Sequence, residues 1–279
     1  MKEVIYKPNT GYGDTWILIS DFITNLPKSW SLGFRLALRN INAKYRQSFL
    51  GIIWILFPPL ATAAVWIFLR SQNVFDFKGL TIPYPVFVLI GTLLWQVFSE
   101  SITILLNNIS QSRSLLIKIN FPHEALVFSA IFEIIFAVCI KLILLVVMLV
   151  AFQVMPSWQI IFTVISILSL MMLGLTVGLL LTPIAMLYND ITFALPIVLQ
   201  FAMYLSPVVY PKQDYSGIGK ILNYNPVAPL LNNGRDWIFG FTPDISSFIW
   251  ISSISFLLFF VGLLIFKMSI QIIIERIGS

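Results

Sequence analysis

From Val154 to Asn189 the chain runs without a single Asp, Glu, Lys or Arg. Crossing about 30 Å of hydrocarbon takes roughly 20 apolar residues at 1.5 Å rise per residue. Six stretches meet that length, near 49–69, 82–104, 125–151, 159–182, 191–210 and 246–266. Within the longest run, Pro183 and Tyr188-Asn189-Asp190 argue for one helix followed by a turn. The expected fold class is an all-α polytopic membrane protein with six transmembrane helices. Composition agrees, because 58% of the 279 residues are apolar and 10% charged, whereas a soluble domain carries about 25% charged residues. That excludes most soluble enzymes and any ordinary nucleic-acid binder. The single cysteine, Cys139, permits no intrachain disulfide and no cysteine-based metal cluster. The mixed polar opening 1–14 lacks the apolar core of a cleavable signal peptide, so a retained N-terminus is expected.

An even number of spans puts both termini on one side of the membrane. Lys and Arg number seven in 1–48, two in 105–124 and two from Lys267 onward, against two in 70–81 and three in 211–245. The positive-inside tendency therefore predicts a multi-pass protein of the cytoplasmic (inner) membrane with both termini in the cytoplasm. Segment 1–48 is then a cytoplasmic N-terminal region, 49–266 the transmembrane domain and 267–279 a cytoplasmic tail. Arg35, Arg39, Asn42 and Arg46 repeat at helical spacing, and Phe34, Leu38, Ile41 and Tyr45 follow one residue earlier. Such a pattern suits an amphipathic helix over 31–46 lying in the cytoplasmic interface, with Arg35, Arg39 and Arg46 attracting lipid phosphate.

Segment 211–245 is too apolar for a free loop. Two short re-entrant helices between spans five and six, broken at Pro226, Pro229 and Gly234, would bury it. Catalytic groupings are scarce: His123 is the one histidine, and no triad or metal site can be assembled. Gly217-Ile218-Gly219-Lys220 resembles a phosphate loop, but Asp214 and Ile221 stand where Gly and Ser or Thr are required. No nucleotide site is expected, so the chain is no enzyme and any ATP and Mg belong to another polypeptide. Glu133 and Lys141 sit inside span three and Glu100 near the end of span two, each with either a structural or a pore role. Trp54, Phe57, Ala61, Val65 and Phe68 share one face of span one, and Phe193, Gln200 and Tyr204 one face of span five. Aromatic faces of this kind suit a sugar-conducting pore, and equally mark helix packing. Pro58-Pro59 is expected to bend span one, and Pro196 and Pro207 span five.

Four segments together resemble the membrane (permease) subunit of ABC-type polysaccharide exporters, which move O-antigen, teichoic acid or capsular glycans. They are Tyr45-Arg46-Gln47-Ser48-Phe49-Leu50-Gly51-Ile52-Ile53-Trp54; Ile119-Asn120-Phe121-Pro122; Leu199-Gln200 with Ser206-Pro207-Val208-Val209-Tyr210-Pro211; and Asn225-Pro226-Val227-Ala228 with Arg235. The resemblance implies a homodimer joined to two copies of a separate ABC ATPase and carrying a polyprenyl-linked glycan. It further implies a channel lined by spans one and five (Trp54, Phe57, Phe68, Phe193, Gln200, Tyr204). Segment 110–123 becomes the coupling helix that touches the ATPase (Arg113, Leu116, Lys118, Phe121, His123). The family often has Arg-Asp where this chain has Asn189-Asp190, so nothing assigned to that arginine carries over. The alternatives are an ABC exporter subunit for another lipid or small amphiphile, and a polytopic lipid-linked sugar or acyl transferase.

Overall fold

The computed structural model describes residues 15–278 except 47, 73, 75–81, 119–120 and 212–223, and leaves the side chains of 15–23, 114, 117–118, 271–272 and 274–278 outside that description. The phosphate-loop lookalike 217–220 and the motif residues Gln47, Ile119 and Asn120 therefore lie outside the described residues. Among those described, all regular structure is helical. In chain order come α1 (Thr15–Tyr45), a 3-10 turn (Gly51–Ile55), α2 (Phe57–Ser71), α3 (Tyr84–Gln111) and α4 (Arg113–Lys118). They are followed by α5 (Glu124–Ala151), α6 (Ile160–Leu187), α7 (Asp190–Tyr204), α8 (Val227–Phe239) and α9 (Ile245–Gly278).

Four helices, α3, α5, α6 and α9, are long and apolar enough to cross a membrane. The protein is thus a multi-pass membrane protein. Expected spans one and five take a different form, since α2 and α7 have 15 residues each, about 22 Å. Pro58 and Pro59 fall in the first turn of α2, where a missing N–H costs nothing, so they mark the break after the 3-10 turn instead of bending a helix. Pro196 is inside α7, but Pro207 lies beyond its end among turns. Pro183, expected to end span four, is accommodated inside α6, which runs on to Leu187. Of the two short helices expected between spans five and six, one, α8, lies in the described residues, and 212–223 fall outside them. Pro226 caps α8 and Gly234 is interior; the break comes at Gly240, whose φ of +76° suits a glycine that ends a helix. The N-terminal helix is also longer than expected, starting at Thr15 and passing through Pro27.

α3 is the centre. It packs against α2, α5, α6, α7 and α8, and its residues from Tyr84 to Ile109 supply much of the buried core. Close approach of α6 to α3 depends on Gly174 and Gly178, one helical turn apart. A Cβ at Gly174 would stand 2.5 Å from the Phe98 carbonyl oxygen, and one at Gly178 3.0 Å from Leu105. Small residues at this spacing let membrane helices gain van der Waals contact that lipid cannot offer. α9 packs on α6, and α1 on α5.

Candidate functional site

The aromatic residues singled out on spans one and five are all left uncovered. Trp54, Phe57 and Phe68 are exposed on the 3-10 turn and α2; Phe193, Gln200 and Tyr204 are exposed on α7, Phe193 at 75%. The Trp54 and Phe57 rings meet edge to face at 5.3 Å, and Trp66 of α2 approaches Tyr204 of α7 at 6.1 Å. The helices turn Pro59 and Ala63, and Leu195, Leu199 and Met203, inward. The aromatic stripes are therefore the outer faces of two half-packed helices within one copy of the chain.

Beyond α7 the backbone stops being helical at Leu205, and side chains from other elements take up its carbonyls. Asn225 Nδ2 donates to Leu205 O at 3.1 Å and to Ser206 Oγ at 2.7 Å. Arg235 of α8 donates Nη1 to Pro207 O at 2.5 Å and Nη2 to Val208 O. Tyr84, at the start of α3, donates its hydroxyl to Val209 O at 3.1 Å. Arg235 is 3% exposed and lies over the Phe87 ring at 4.1 Å. Its guanidinium occupies the space where a Cβ on Gly91 would stand. Non-helical backbone in apolar surroundings is tolerated only when its polar groups are satisfied in this way. The motif residues Asn225, Ser206 to Tyr210 and Arg235 thus form one clamp, which the sequence pattern grouped without disclosing the contacts. Hydroxyls of α6 hold the same short helix from the other side, Ser166 Oγ donating to Leu230 O at 2.5 Å and Thr163 Oγ1 to Gly234 O at 3.2 Å.

Elsewhere in the bundle the ionisable residues expected inside the spans find partners. Lys141 Nζ, 3% exposed, lies 2.5 Å from Glu100 Oε2. Glu133 Oε1 accepts from Asn108 Nδ2 at 2.8 Å, Asn40 Nδ2 at 2.9 Å and Ser129 Oγ at 3.1 Å. That carboxylate ties α1, α3 and α5 together. Both sites meet the requirement that charge inside a membrane protein be paired or hydrogen-bonded.

Within the segment expected to couple to an ATPase, α4 is short and anchored. Leu116 is 4% exposed and belongs to the core, so it faces the protein's own interior and not an outside surface. That burial accounts for its apolarity within one copy of the chain. Arg113 donates Nη2 to Met186 O at 2.6 Å, satisfying the C-terminal end of α6. Phe121 is half-buried against the core and stacks on His123 at 6.0 Å. Burial pushes the His123 imidazole below its ordinary pKa of 6.5, Glu124 opposes that shift, and Lys267 reinforces it. Lys267 is itself paired with Glu124 at 3.1 Å. The Lys118 side chain lies outside the described residues.

Arg35, Arg39 and Arg46 are exposed on α1 and at its end. The helix has a third face that the two-stripe pattern did not disclose. Ser29, Gly33 and Ala37 are buried against α5, and Trp30 and Phe34 meet the Phe132 ring at 4.8 and 5.3 Å.

The family of ABC-2 type transporters matches residues 33–236, from the middle of α1 to the clamp arginine region of α8. The O-antigen export system permease protein RfbA of Myxococcus xanthus is 28% identical over 205 residues, 71% of this chain and 76% of that protein. Matched over more than two thirds of its length by the family, with four membrane-crossing helices and two shorter helices beside them, the chain belongs to the ABC-2 type transporters.

Proposed function

We propose that the chain is the membrane subunit of an ATP-driven exporter that moves a lipid-linked polysaccharide, of O-antigen or teichoic-acid type, across the cytoplasmic membrane. Membership of the ABC-2 family implies an ABC ATPase partner, and ATP and Mg are bound there. Two copies of the chain join two ATPase copies, six crossings each, with both termini cytoplasmic. The 3-10 turn with α2, and α7 with the clamped segment 205–210, each complete one crossing. α1 lies at the cytoplasmic surface, where Arg35, Arg39 and Arg46 attract the carrier's phosphate, and α8 is the re-entrant element.

The observation that carries this reading is the uncovered aromatic face of α2 and α7. Facing each other across a dimer axis, Trp54, Phe57, Phe68, Phe193 and Tyr204 would line a passage whose walls pack against the apolar faces of sugar rings. Gln200 adds a hydrogen-bonding group to it. The O-antigen export relative supports the choice of substrate class. Segment 110–123 couples to the ATPase through Lys118, Phe121 and His123, with Arg113 and Leu116 anchoring it from within.

Reconstitution of the chain with its ATPase in liposomes tests the proposal. ATP-dependent movement of a polyprenyl-pyrophosphate-linked oligosaccharide is expected. Transport of a small fluorescent amphiphile with no movement of the oligosaccharide would favour the other class of exporter.

A further inference from the structure

α3 is enclosed by other helices, yet its last four turns leave one strip only partly covered, open at Asn107 and Gln111. Gln96, Ser99, Glu100, Thr103, Asn107 and Gln111 fall within roughly 120° of the helix circumference at 3.6 residues per turn. Each is half-buried or exposed, whereas Phe98, Ile102, Leu105 and Ile109 on the opposite side are buried. The strip is polar throughout and about 22 Å long. α6 covers the opposite side through Gly174 and Gly178, and α5 flanks the strip through Lys141. A spanning helix does not turn such a strip toward hydrocarbon; its side chains face protein or water.

The chemistry of the strip narrows what it meets. Its one ionisable group, Glu100, is paired with Lys141 at 2.5 Å, so the strip presents no unpaired carboxyl. The remainder are carboxamides and hydroxyls, which both donate and accept. Ser99 and Thr103 donate to carbonyls of their own helix, Thr103 Oγ1 to Ser99 O at 3.1 Å, leaving their oxygens as acceptors. Gln96 Oε1 is a buried acceptor without a hydrogen-bond partner. A neutral set of donors and acceptors about one helical turn apart matches a hydroxyl-rich chain.

We propose that this strip is the hydrogen-bonding wall of the path taken by the sugars of the lipid-linked glycan, with Gln96, Thr103 and Asn107 meeting its hydroxyls in a water-filled groove. The aromatic faces of α2 and α7 supply the slippery contact, and α3 the polar one. The inference rests on the glycan-export reading above.

The test uses the whole transporter with its ATPase in liposomes and a Cys139→Ser background. Gln96→Cys, Thr103→Cys and Asn107→Cys are each exposed to a water-soluble methanethiosulfonate, with Val147→Cys, on an outward-turned apolar position of α5, as the reference. Modification at least tenfold faster than at Val147→Cys is expected, slowed at least fivefold by a polyprenyl-pyrophosphate-linked oligosaccharide but not by polyprenyl phosphate alone. Reaction no faster than the reference would overturn the proposal, as would reaction indifferent to the oligosaccharide. Disulfide formation between two copies at these positions would overturn it by placing a second copy on the strip. Wild-type liposomes that move no oligosaccharide would overturn the export reading and this inference together. Wild-type transport with unprotected cysteines would overturn this inference alone.

Discussion

Arg235 holds two carbonyls of a chain segment that has no helix to satisfy them, so its loss is a loss of acceptors' partners rather than of surface charge. Arg235→Leu is expected to destabilise the protein by about 3 kcal/mol, since each buried acceptor left unpaired costs about 1–3 kcal/mol. Arg235→Lys should recover only part, because an ammonium on a flexible stem does not reproduce a planar fork. Gly91→Ala should resemble Arg235→Leu, because the new methyl takes the guanidinium's place. Thermal unfolding in detergent measures all three, and a wild-type melting temperature for Arg235→Leu would refute the clamp. His123 gives a pH signature. Its folded-state pKa is lowered by burial, so the neutral ring contributes stability above the unfolded value near 6.5, and that contribution fades as pH falls through and below it. His123→Gln should flatten the fall in melting temperature between about pH 7.5 and 5.5; an unchanged pH profile would assign the sensitivity elsewhere.

Among the elements, α4 and α1 separate most clearly into an anchored side and a presented side. Leu116 is part of the core, so Leu116→Ser should cost about 3 kcal/mol or more and lower the amount of folded protein. ATPase co-purification per folded molecule should stay near wild type. Normal abundance with lost ATPase binding would mean that Leu116 turns outward in the assembled transporter. α1 is held to α5 by Ser29, Gly33, Ala37 and the Asn40–Glu133 hydrogen bond, which turns Arg35, Arg39 and Arg46 outward, Arg39 also donating to Asn40 Oδ1 at 3.1 and 3.3 Å. Each basic group near an anionic surface is worth about 1 kcal/mol. Replacing Arg35, Arg39 and Arg46 together by Gln should lower export more than it lowers protein in the membrane. Equal losses in both would reduce the arginines to anchors.

At the scale of the whole molecule, the helices are unevenly covered, and the proposed passage rests on the faces left open. α3 is enclosed while α2 and α7 leave Trp54, Phe57, Phe193 and Tyr204 uncovered. Cysteines at Trp54, Phe57 and Tyr204 in a functional background should react with water-soluble thiol reagents in at least one transport state. Complete protection in every state, with retained export, would reassign these faces to packing against lipid or a second copy.

The membrane class and the long helices were legible in the residues, because spanning hydrocarbon demands length and the absence of charge, and both are local properties. The outer faces of α2 (Phe57, Val65, Phe68) and α7 (Phe193, Gln200, Tyr204) were legible for the same reason, since helical spacing decides which residues point together, whereas Trp54 stands on the 3-10 turn before α2. Two close-packing and polar signals were equally open to reading, Gly174 with Gly178 on α6 and the strip from Gln96 to Gln111 on α3. Element ends were harder. Pro58-Pro59, Pro183 and Pro207 look alike in sequence, yet one begins a helix, one sits inside a helix and one lies past a helix end. Each outcome turns on whether neighbouring groups satisfy the backbone there. Partners of buried charge depended wholly on the packed fold. Lys141 and Glu100 are 41 positions apart, and Asn40 and Glu133 are 93 apart; a hydrogen bond acts over about 3 Å, and no periodicity along a chain records which distant residues come that close.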